Sequence, residues 1–240
     1  MLIIFRHLLL FLSCFYTSYA ASSVVIGSTR VIYNEGKREV QVQLKNNGDK
    51  PFLIQNWIDI GNADSLPTGV SVPFVTSPPI SRIEAGEGAL LRIFLNDTEK
   101  VLSRDIESVF WLNVLAAPPK VKSNEDNNQL QIAFRTRIKL FYRPQGLSDE
   151  RLLDVPQKLV VTKSDRGLLV TNPSEFHISI AHILLENSIS KFRTESKMIS
   201  PKSSALFEFE EDVNFDNYRK AELFYINDFG GMANVEYIFK

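Results

Sequence analysis

The chain has 240 residues, with 27 lysines and arginines against 28 aspartates and glutamates, 44% hydrophobic residues and a single cysteine. Apolar and charged fractions of this size are typical of a folded globular protein and exclude a disordered chain. The near-zero net charge gives no general electrostatic reason to bind nucleic acid or an anionic membrane surface.

The N-terminal segment 1–20 has the pattern of a secretory signal peptide. A short start containing Arg6 leads into an apolar run, and the small residues Ser18 and Ala20 occupy the two positions that signal peptidase reads. A transmembrane anchor is the alternative, but spanning a bilayer needs about 20 apolar residues and this run is shorter. Cleavage after Ala20, or after the neighbouring Ala21, removes the only cysteine, Cys14. We therefore expect an exported chain without a thiol, a disulfide or a membrane-inserted segment.

The first half of the remaining chain alternates apolar and polar residues as half-buried strands do. Val40, Val42 and Leu44, for example, are each separated by one polar residue. The residues from Thr98 to Glu107 suit at most one short turn of helix. Strands are predicted at Val24–Ile32, Arg38–Lys45, Phe52–Ile60, Ala89–Leu95, Ser108–Leu115 and Gln129–Tyr142.

A second group of strand patterns follows the helix- and strand-breaking segment Arg143–Gly146. We therefore predict an all-β fold of two β-sandwich domains, at 21–145 and 146–240. The strands predicted in the second domain are Lys158–Thr162, Gly167–Thr171, Phe176–Leu185, Ser204–Glu210, Ala221–Ile226 and Asn234–Phe239.

The sequence lacks the common catalytic and metal-binding motifs. His177 and His182 have an odd spacing, so on one strand they face opposite sides and cannot hold a metal together. Gly86–Gly88 resembles the start of a dinucleotide-binding loop but lacks the third glycine and the helix, and Glu208–Asp212 fits a solvated strand and loop. We expect no enzyme activity, no metal and no cofactor.

The segment Gln129–Tyr142 is long for a strand, whose usual length is about 5–6 residues. Leu130, Ile132 and Phe134 alternate with polar or small residues in its first half. A polar loop, Lys120–Asn128, precedes them, so this half should project from the body of the domain. An exposed strand edge with apolar side chains favours pairing with another chain.

Short motifs along the chain resemble those of the periplasmic pilus-assembly chaperones of the chaperone–usher pathway. They span nearly all of the chain after residue 20, in the order in which that family carries them. The motifs are Ser28–Val31, Gln55–Ile58, Ser77–Arg82, Phe110–Val114, Leu130–Ala133, Lys139–Pro144, Asn172-Pro173, Ser200–Ser203 and Tyr225–Gly231.

The resemblance implies two immunoglobulin-like sandwiches at an angle, with a subunit-binding cleft between them. It implies that Arg30 and Lys139 anchor the C-terminal carboxylate of a pilin subunit. The apolar residues Leu130, Ile132 and Phe134 would complete the subunit's fold by donor-strand complementation. Further implications are a periplasmic location and an outer-membrane usher as second partner. The sequence leaves open whether the free protein self-associates through the same edge.

The resemblance also implies an interdomain salt bridge of Glu107, Arg143 and Asp228. Because isolated surface ion pairs contribute about 0–1 kcal/mol, we expect this trio to set the angle between the domains more than their stability.

Two other classes of protein are compatible with an exported β-sandwich chain. A structural pilin or adhesin subunit is one, although pilins of this pathway usually have a single domain with a disulfide. A sugar-binding module or secreted enzyme is the other, and it would need a polar pocket for which the sequence offers no clear residues. Isolation of a one-to-one complex with a smaller subunit distinguishes a chaperone from both.

Overall fold

The computed structural model describes residues 24–64, 72–96, 102–120, 130–147, 154–211 and 213–239. Their regular structure is strand apart from two short 3-10 helices, Pro156–Lys158 and Phe215–Asn217. The predicted all-β class is confirmed. The predicted signal peptide lies outside the described residues. None of the helices in the described part of the chain is long and apolar enough to cross a bilayer.

The first sandwich consists of nine strands in two sheets. One sheet has the order β1-β3-β7-β5 and the other the order β2-β9-β8-β4-β6. The strands are β1 (Val24–Ile26), β2 (Arg30–Asn34), β3 (Val40–Asn46), β4 (Phe52–Asp59), β5 (Phe74–Ser77), β6 (Ile80–Ile83), β7 (Gly88–Leu95), β8 (Ser108–Ala117) and β9 (Phe134–Arg143).

The core of this sandwich follows the alternation seen in the sequence. Val42 and Leu44 are buried between the sheets, while Gln41 and Gln43 on the same strand are exposed. Tyr33 lies at the centre of an aromatic cluster, and its hydroxyl accepts a hydrogen bond from the Leu95 backbone N–H and donates to the backbone.

The segment Val24–Ile32, predicted as one strand, is two strands in different sheets. β1 pairs antiparallel with β3, whereas β2 pairs parallel with β9. The chain crosses between the sheets at residues 27–29, where Gly27 packs against the Gln43 backbone. The prediction of one continuous strand was wrong because sheet membership depends on partners that are distant in sequence.

The second sandwich has a three-stranded sheet, β10-β11-β15, facing a sheet with the order β13-β12-β16-β17, in which β14 also pairs with β12. Its own hydrophobic core includes Leu168, Phe176, Ile183 and Leu223. The strands are β10 (Val160–Ser164), β11 (Gly167–Asn172), β12 (Ile178–Glu186), β13 (Lys191–Arg193), β14 (Lys197–Ile199), β15 (Ser203–Glu208), β16 (Lys220–Ile226) and β17 (Met232–Ile238).

Some sequence expectations differ from the structure. The strand predicted from Gln129 begins at Phe134 in the described residues, because β8 ends at Ala117 and offers no partner further on. Residues 102–107 are not helical, and the rest of the predicted helical turn lies outside the described residues. Strands β5, β6, β13 and β14 were not predicted, since each has only three or four residues.

Candidate functional site

The structure brings Arg30 and Lys139 together at the cleft between the two sandwiches. β2 and β9 run parallel, and Arg30 is the cross-strand partner of Lys139 in this ladder. Their side chains point away from the first core and towards the second sandwich. There the Arg30 guanidinium donates to the Ile226 carbonyl over 3.0 Å, and the Lys139 ammonium donates to Ser179 Oγ over 3.0 Å.

Both cations are half-buried, and among the described residues no carboxylate lies within ion-pair distance of either. Their hydrogen-bond acceptors are neutral, and Arg30 Nε has no partner among the described residues. Burial lowers the pKa of Arg30, and burial together with the neighbouring Arg30 charge lowers the pKa of Lys139. The more distant charges of Asp228 and Glu107 offset part of the burial effect on Arg30. Two like charges that lie side by side and are partly desolvated are further stabilised when an anion contacts both. A carboxylate that reached both side chains would supply charge-assisted hydrogen bonds to each.

One half of β9 has an open edge next to this cationic pair. β2 pairs with β9 only from Lys139 to Arg143, so in the described structure the residues before Lys139 pair with β8 alone. Ile138 is buried in the first core, whereas Phe134, on the same face of β9, is 61% exposed. The free edge therefore leads directly to the two cations.

Leu130 and Ile132 continue from this edge and contact little of their own chain. Leu130 is 87% exposed and Ile132 is 54% exposed, although both are large apolar side chains. Gln131, between them, donates to the Pro118 carbonyl over 2.7 Å and holds the segment against the end of β8. The three predicted donor-strand side chains, Leu130, Ile132 and Phe134, are thus all exposed to solvent.

The opposite face of β9 is fixed to the sheet by two arginines. Arg137 makes a bidentate ion pair with the buried Asp59, at 2.6 and 3.2 Å, and its guanidinium lies 4.8 Å from the centre of the Trp111 ring. Arg135 stacks over Trp57 at 5.1 Å. Burial raises the pKa of Asp59, but hydrogen bonds from Arg137 and Asn113 outweigh burial and leave it below its usual value. These contacts hold the strand in place without using its apolar face.

Replacing Arg137 with methionine should destabilise the first sandwich. The carboxylate of Asp59 is fully buried and would lose its cation, and breaking a buried ion pair costs about 3–5 kcal/mol, somewhat less here because Arg137 is 22% exposed. Arg135→Met removes a similar stack and the hydrogen bond from Arg135 Nε to the buried Asn113 Oδ1, but it leaves no buried charge, so a smaller effect of roughly 1–3 kcal/mol is expected from that control. Urea unfolding at pH 7 measures both.

The pH dependence of this loss has a definite sign. The pKa of Asp59 is depressed in the folded state, so the ion pair stabilises the protein above the unfolded-state pKa of about 3.9 and its contribution disappears as the pH falls through the lower folded-state pKa. The gap between the unfolding midpoints of the unaltered protein and Arg137→Met should therefore narrow on acidification. A gap that widens below pH 4 would contradict the assignment.

Arg143 connects the two sandwiches through Glu107 and Asp228. Its Nε donates to Glu107 over 2.8 Å, and its two terminal nitrogens donate to Asp228 over 2.6 and 2.7 Å. Burial opposes the charge of Arg143, but the hydrogen bonds to Asp228 and the charge of Glu107 outweigh burial and raise its pKa. The expectation of a surface ion pair was wrong, because the side chains of Arg143 and Glu107 are only 2% and 1% exposed.

His177 is a fourth member of this network that the sequence did not reveal. Its backbone N–H and its Nδ1 lie 2.8 and 3.1 Å from Glu107 Oε2, and the Glu107 backbone N–H donates to the Glu175 carbonyl. His182, on β12, instead stacks on Phe224 of β16. Within the described ranges no three acidic, histidine or cysteine side chains are grouped so as to hold a metal ion.

Two immunoglobulin-like sandwiches that meet at a basic cleft, with an open strand edge leading into it, define the class of protein. Residues 23–148 match the family described as "Pili and flagellar-assembly chaperone, PapD N-terminal domain". Residues 154–237 match "Pili assembly chaperone PapD, C-terminal domain". The chain belongs to this family of pilus-assembly chaperones, and the resemblance noted in its motifs is confirmed.

Individual relatives agree with this assignment. The probable fimbrial chaperone YadV of Escherichia coli (strain K12) is 40% identical over 228 residues, which cover 91% of this chain and 92% of YadV. The crystal structure of the Pseudomonas aeruginosa CupB2 chaperone has a TM-score of 0.76 and 30% identity, and the match covers 90% of this chain and 100% of CupB2. The Salmonella enterica SafB chaperone, solved in complex with SafA pilin, shares the fold at 24% identity, with a TM-score of 0.76 over 92% of this chain and 99% of SafB.

Proposed function

We propose that the protein acts in the periplasm, where it binds a pilus subunit that lacks one strand of its own fold and completes that fold with residues 130–138. The observation that carries the proposal is the pair of half-buried cations, Arg30 and Lys139, at the end of an open strand edge. No carboxylate of the described chain lies within ion-pair distance of either cation. A carboxylate from outside the chain satisfies both.

The position of β2 determines how a client strand fits. β2 occupies the edge of β9 from Lys139 onwards, so a client strand can pair only with the residues before it. A client whose C-terminal carboxylate reaches Arg30 and Lys139 must run towards them, parallel to β9. Its last residue then lies end to end with the first residue of β2. This arrangement accounts for why the cations lie where they do.

Burial of the apolar side chains supplies most of the affinity. Leu130, Ile132 and Phe134 each contribute about 1.5–3 kcal/mol when they move from water into the open core of a client, before the costs of association are subtracted. Hydrogen bonds to the charged anchor contribute about 1.5–3 kcal/mol each. The anchor also fixes the register, since a slip of one residue would turn the apolar side chains away from the client.

The remaining parts of the proposal concern location and partners. The pattern of residues 1–20 supports export, and membership of the family supports transfer of the bound subunit to an outer-membrane usher. The protein works by binding and not by catalysis. When no client is present, the same edge offers a surface through which two copies can associate.

Arg30→Ala and Lys139→Ala should each prevent isolation of a chaperone–subunit complex from the periplasm. Each removes one of the two groups that hold the client carboxylate, while the circular dichroism of the β-sheets should not change. Lys191→Ala is the matched control, since Lys191 is an exposed strand residue in the second sandwich whose ammonium pairs with the exposed Glu186. Normal recovery of subunits with both cleft variants would refute the anchor.

A further inference from the structure

The five-stranded sheet of the second sandwich turns its outer face towards the cleft. Core side chains such as Ile183 and Leu223 alternate on β12 and β16 with side chains that point out of the sandwich. Strand β17 is an edge of this sheet, and in the described structure it pairs with β16 alone. The outer face includes Ser179, His182, Phe224, Ile226 and Met232.

Contacts of β12 with the first sandwich indicate which part of the cleft this face covers. The centres of the His177 and Phe141 rings are 5.7 Å apart, and Ser179, two residues further along, accepts the hydrogen bond from Lys139. β12 thus follows β9 in the reverse direction. Beyond Ser179, β12 therefore leads over the half of β9 that precedes Lys139, and this half has the open edge.

Strand β16 has the same relation to β2. The carbonyl of Ile226 accepts the hydrogen bond from Arg30, the first residue of β2, and Ile226 is the cross-strand partner of Ser179. Phe224 comes two residues before Ile226 and pairs with His182, so it lies on the side of Arg30 that is beyond the start of β2. In the proposed function, the last residues of the client strand lie on that side.

Three apolar residues, Phe224, Ile226 and Met232, form a continuous patch on this face, called the cleft-wall patch. Ile226 is the cross-strand partner of Met232, and Phe224 lies on the same face of β16 as Ile226. Met232 is 59% exposed, and the other two are half-buried. The Phe224 ring is held by a stack on His182, with ring centres 4.4 Å apart, and Arg193 contacts His182 Nδ1 over 3.2 Å. An apolar patch with a fixed aromatic ring is typical of protein-binding surfaces.

We propose that the cleft-wall patch is a second contact surface for the client and covers the outward side of the client's C-terminal strand. The inference rests on the proposed function, because it needs the client carboxylate at Arg30 and Lys139. One side of that strand faces the client's own core, and the other side faces the second sandwich. A strand that is covered on both sides is apolar on both sides. The patch therefore fits clients whose last residues are continuously apolar and do not alternate with polar ones.

Photo-crosslinking in the purified complex of the protein with its co-purified subunit tests this contact. A benzophenone amino acid replaces Met232, Ile132 or Val160 in turn. Val160 is the matched control, since it is an apolar residue of the same sandwich that is 51% exposed and lies on the opposite sheet. On irradiation, the Met232 position should form an adduct with the C-terminal strand of the subunit, as located by mass spectrometry, whereas the Val160 position should form none.

Met232→Gln measures the effect of the patch on the lifetime of the complex. Glutamine keeps the length of the side chain and adds no charge that could pair with Arg30. The complex should lose its subunit to an excess of tagged unaltered protein about tenfold faster, because an apolar contact is replaced by an amide without a partner. Val160→Thr should leave this rate unchanged. Met232 lies outside both cores, so the thermal midpoint of the free protein should not change.

Adducts from the Ile132 position without any from the Met232 position would overturn the second contact and leave donor-strand binding intact. Equal rates of subunit loss for Met232→Gln and the unaltered protein would have the same meaning. Adducts from the Val160 position as well as from Met232 would indicate unspecific capture and would also overturn the contact. Absence of adducts from all three positions would count against the proposed function itself.

Discussion

Ile132→Asp is expected to abolish recovery of pilus subunits without unfolding the protein. The side chain of Ile132 is 54% exposed and lies outside both cores, so its replacement costs the free protein little. In the complex, the variant loses about 1.5–3 kcal/mol of apolar burial and places a carboxylate in the core of the client. We expect affinity to fall by at least about 100-fold, which corresponds to roughly 2.7 kcal/mol.

Measurement of this effect needs a folded control. Ile189→Asp alters an isoleucine that is 95% exposed in the second sandwich, away from the edge of β9. Both variants should unfold at the same thermal midpoint as the unaltered protein. When each is purified from the periplasm, only Ile132→Asp should lack a co-purified subunit. Leu130→Asp should behave like Ile132→Asp. Full recovery of subunits with both donor-strand variants would refute donor-strand complementation by this segment.

Arg143→Met is expected to destabilise the protein by about 3–5 kcal/mol, because it leaves two carboxylates without their cation at the junction of the sandwiches. Glu107 is almost completely buried and also binds His177 across the junction. The variant should show a large drop in the urea midpoint at neutral pH and faster proteolysis between the sandwiches. Glu107→Gln added to Arg143→Met should restore part of the stability, since it removes the charge of the more deeply buried of the two carboxylates.

Arg82→Met provides the comparison for a solvent-exposed ion pair. Arg82 and Glu84 are 64% and 59% exposed, so their pairing should contribute about 0–1 kcal/mol. If the midpoint of Arg143→Met fell by no more than that of Arg82→Met, the buried network would not contribute to stability. The role of the trio in setting the angle between the sandwiches stays a prediction, which the relative orientation of the two sandwiches in Arg143→Met tests directly.

The alternation of Val42 and Leu44 with glutamines was sufficient to predict β3, because burial of one strand face leaves a local pattern. Local patterns could not divide Val24–Ile32 between two sheets. β1 and β2 belong to different sheets because they pair with different strands, β3 and β9, which are distant in sequence. Leu130, Ile132 and Phe134 stood out for the opposite reason. Their alternation continues past the point at which their own sheet can bury them, so the pattern indicated a strand face intended for another chain.

The candidate site depends mainly on contacts that are distant in sequence. No residue pattern near Arg30 predicts that it lies beside Lys139. Before the structure, only the family resemblance indicated that the two residues act together. Asp59 and Arg137 are 78 residues apart and were not predicted to pair. His177 was assigned no role because a lone strand histidine is usually structural. The cleft beside Arg30 is formed by two sandwiches together, so no local pattern encodes it.

The start of β2 opposite Lys139 has a consequence for quality control. In the proposed binding mode, a client strand that runs along β9 ends where β2 begins. The cleft would therefore measure the distance between the client's C terminus and its open core. A subunit shortened by two residues at its C terminus would still turn the same face of its strand towards the donor side chains. Either its carboxylate would not reach the two cations, or each of its pockets would lie one donor side chain away from the correct one. The protein would then release proteolytically trimmed subunits sooner than intact ones, before such subunits reach the growing fibre.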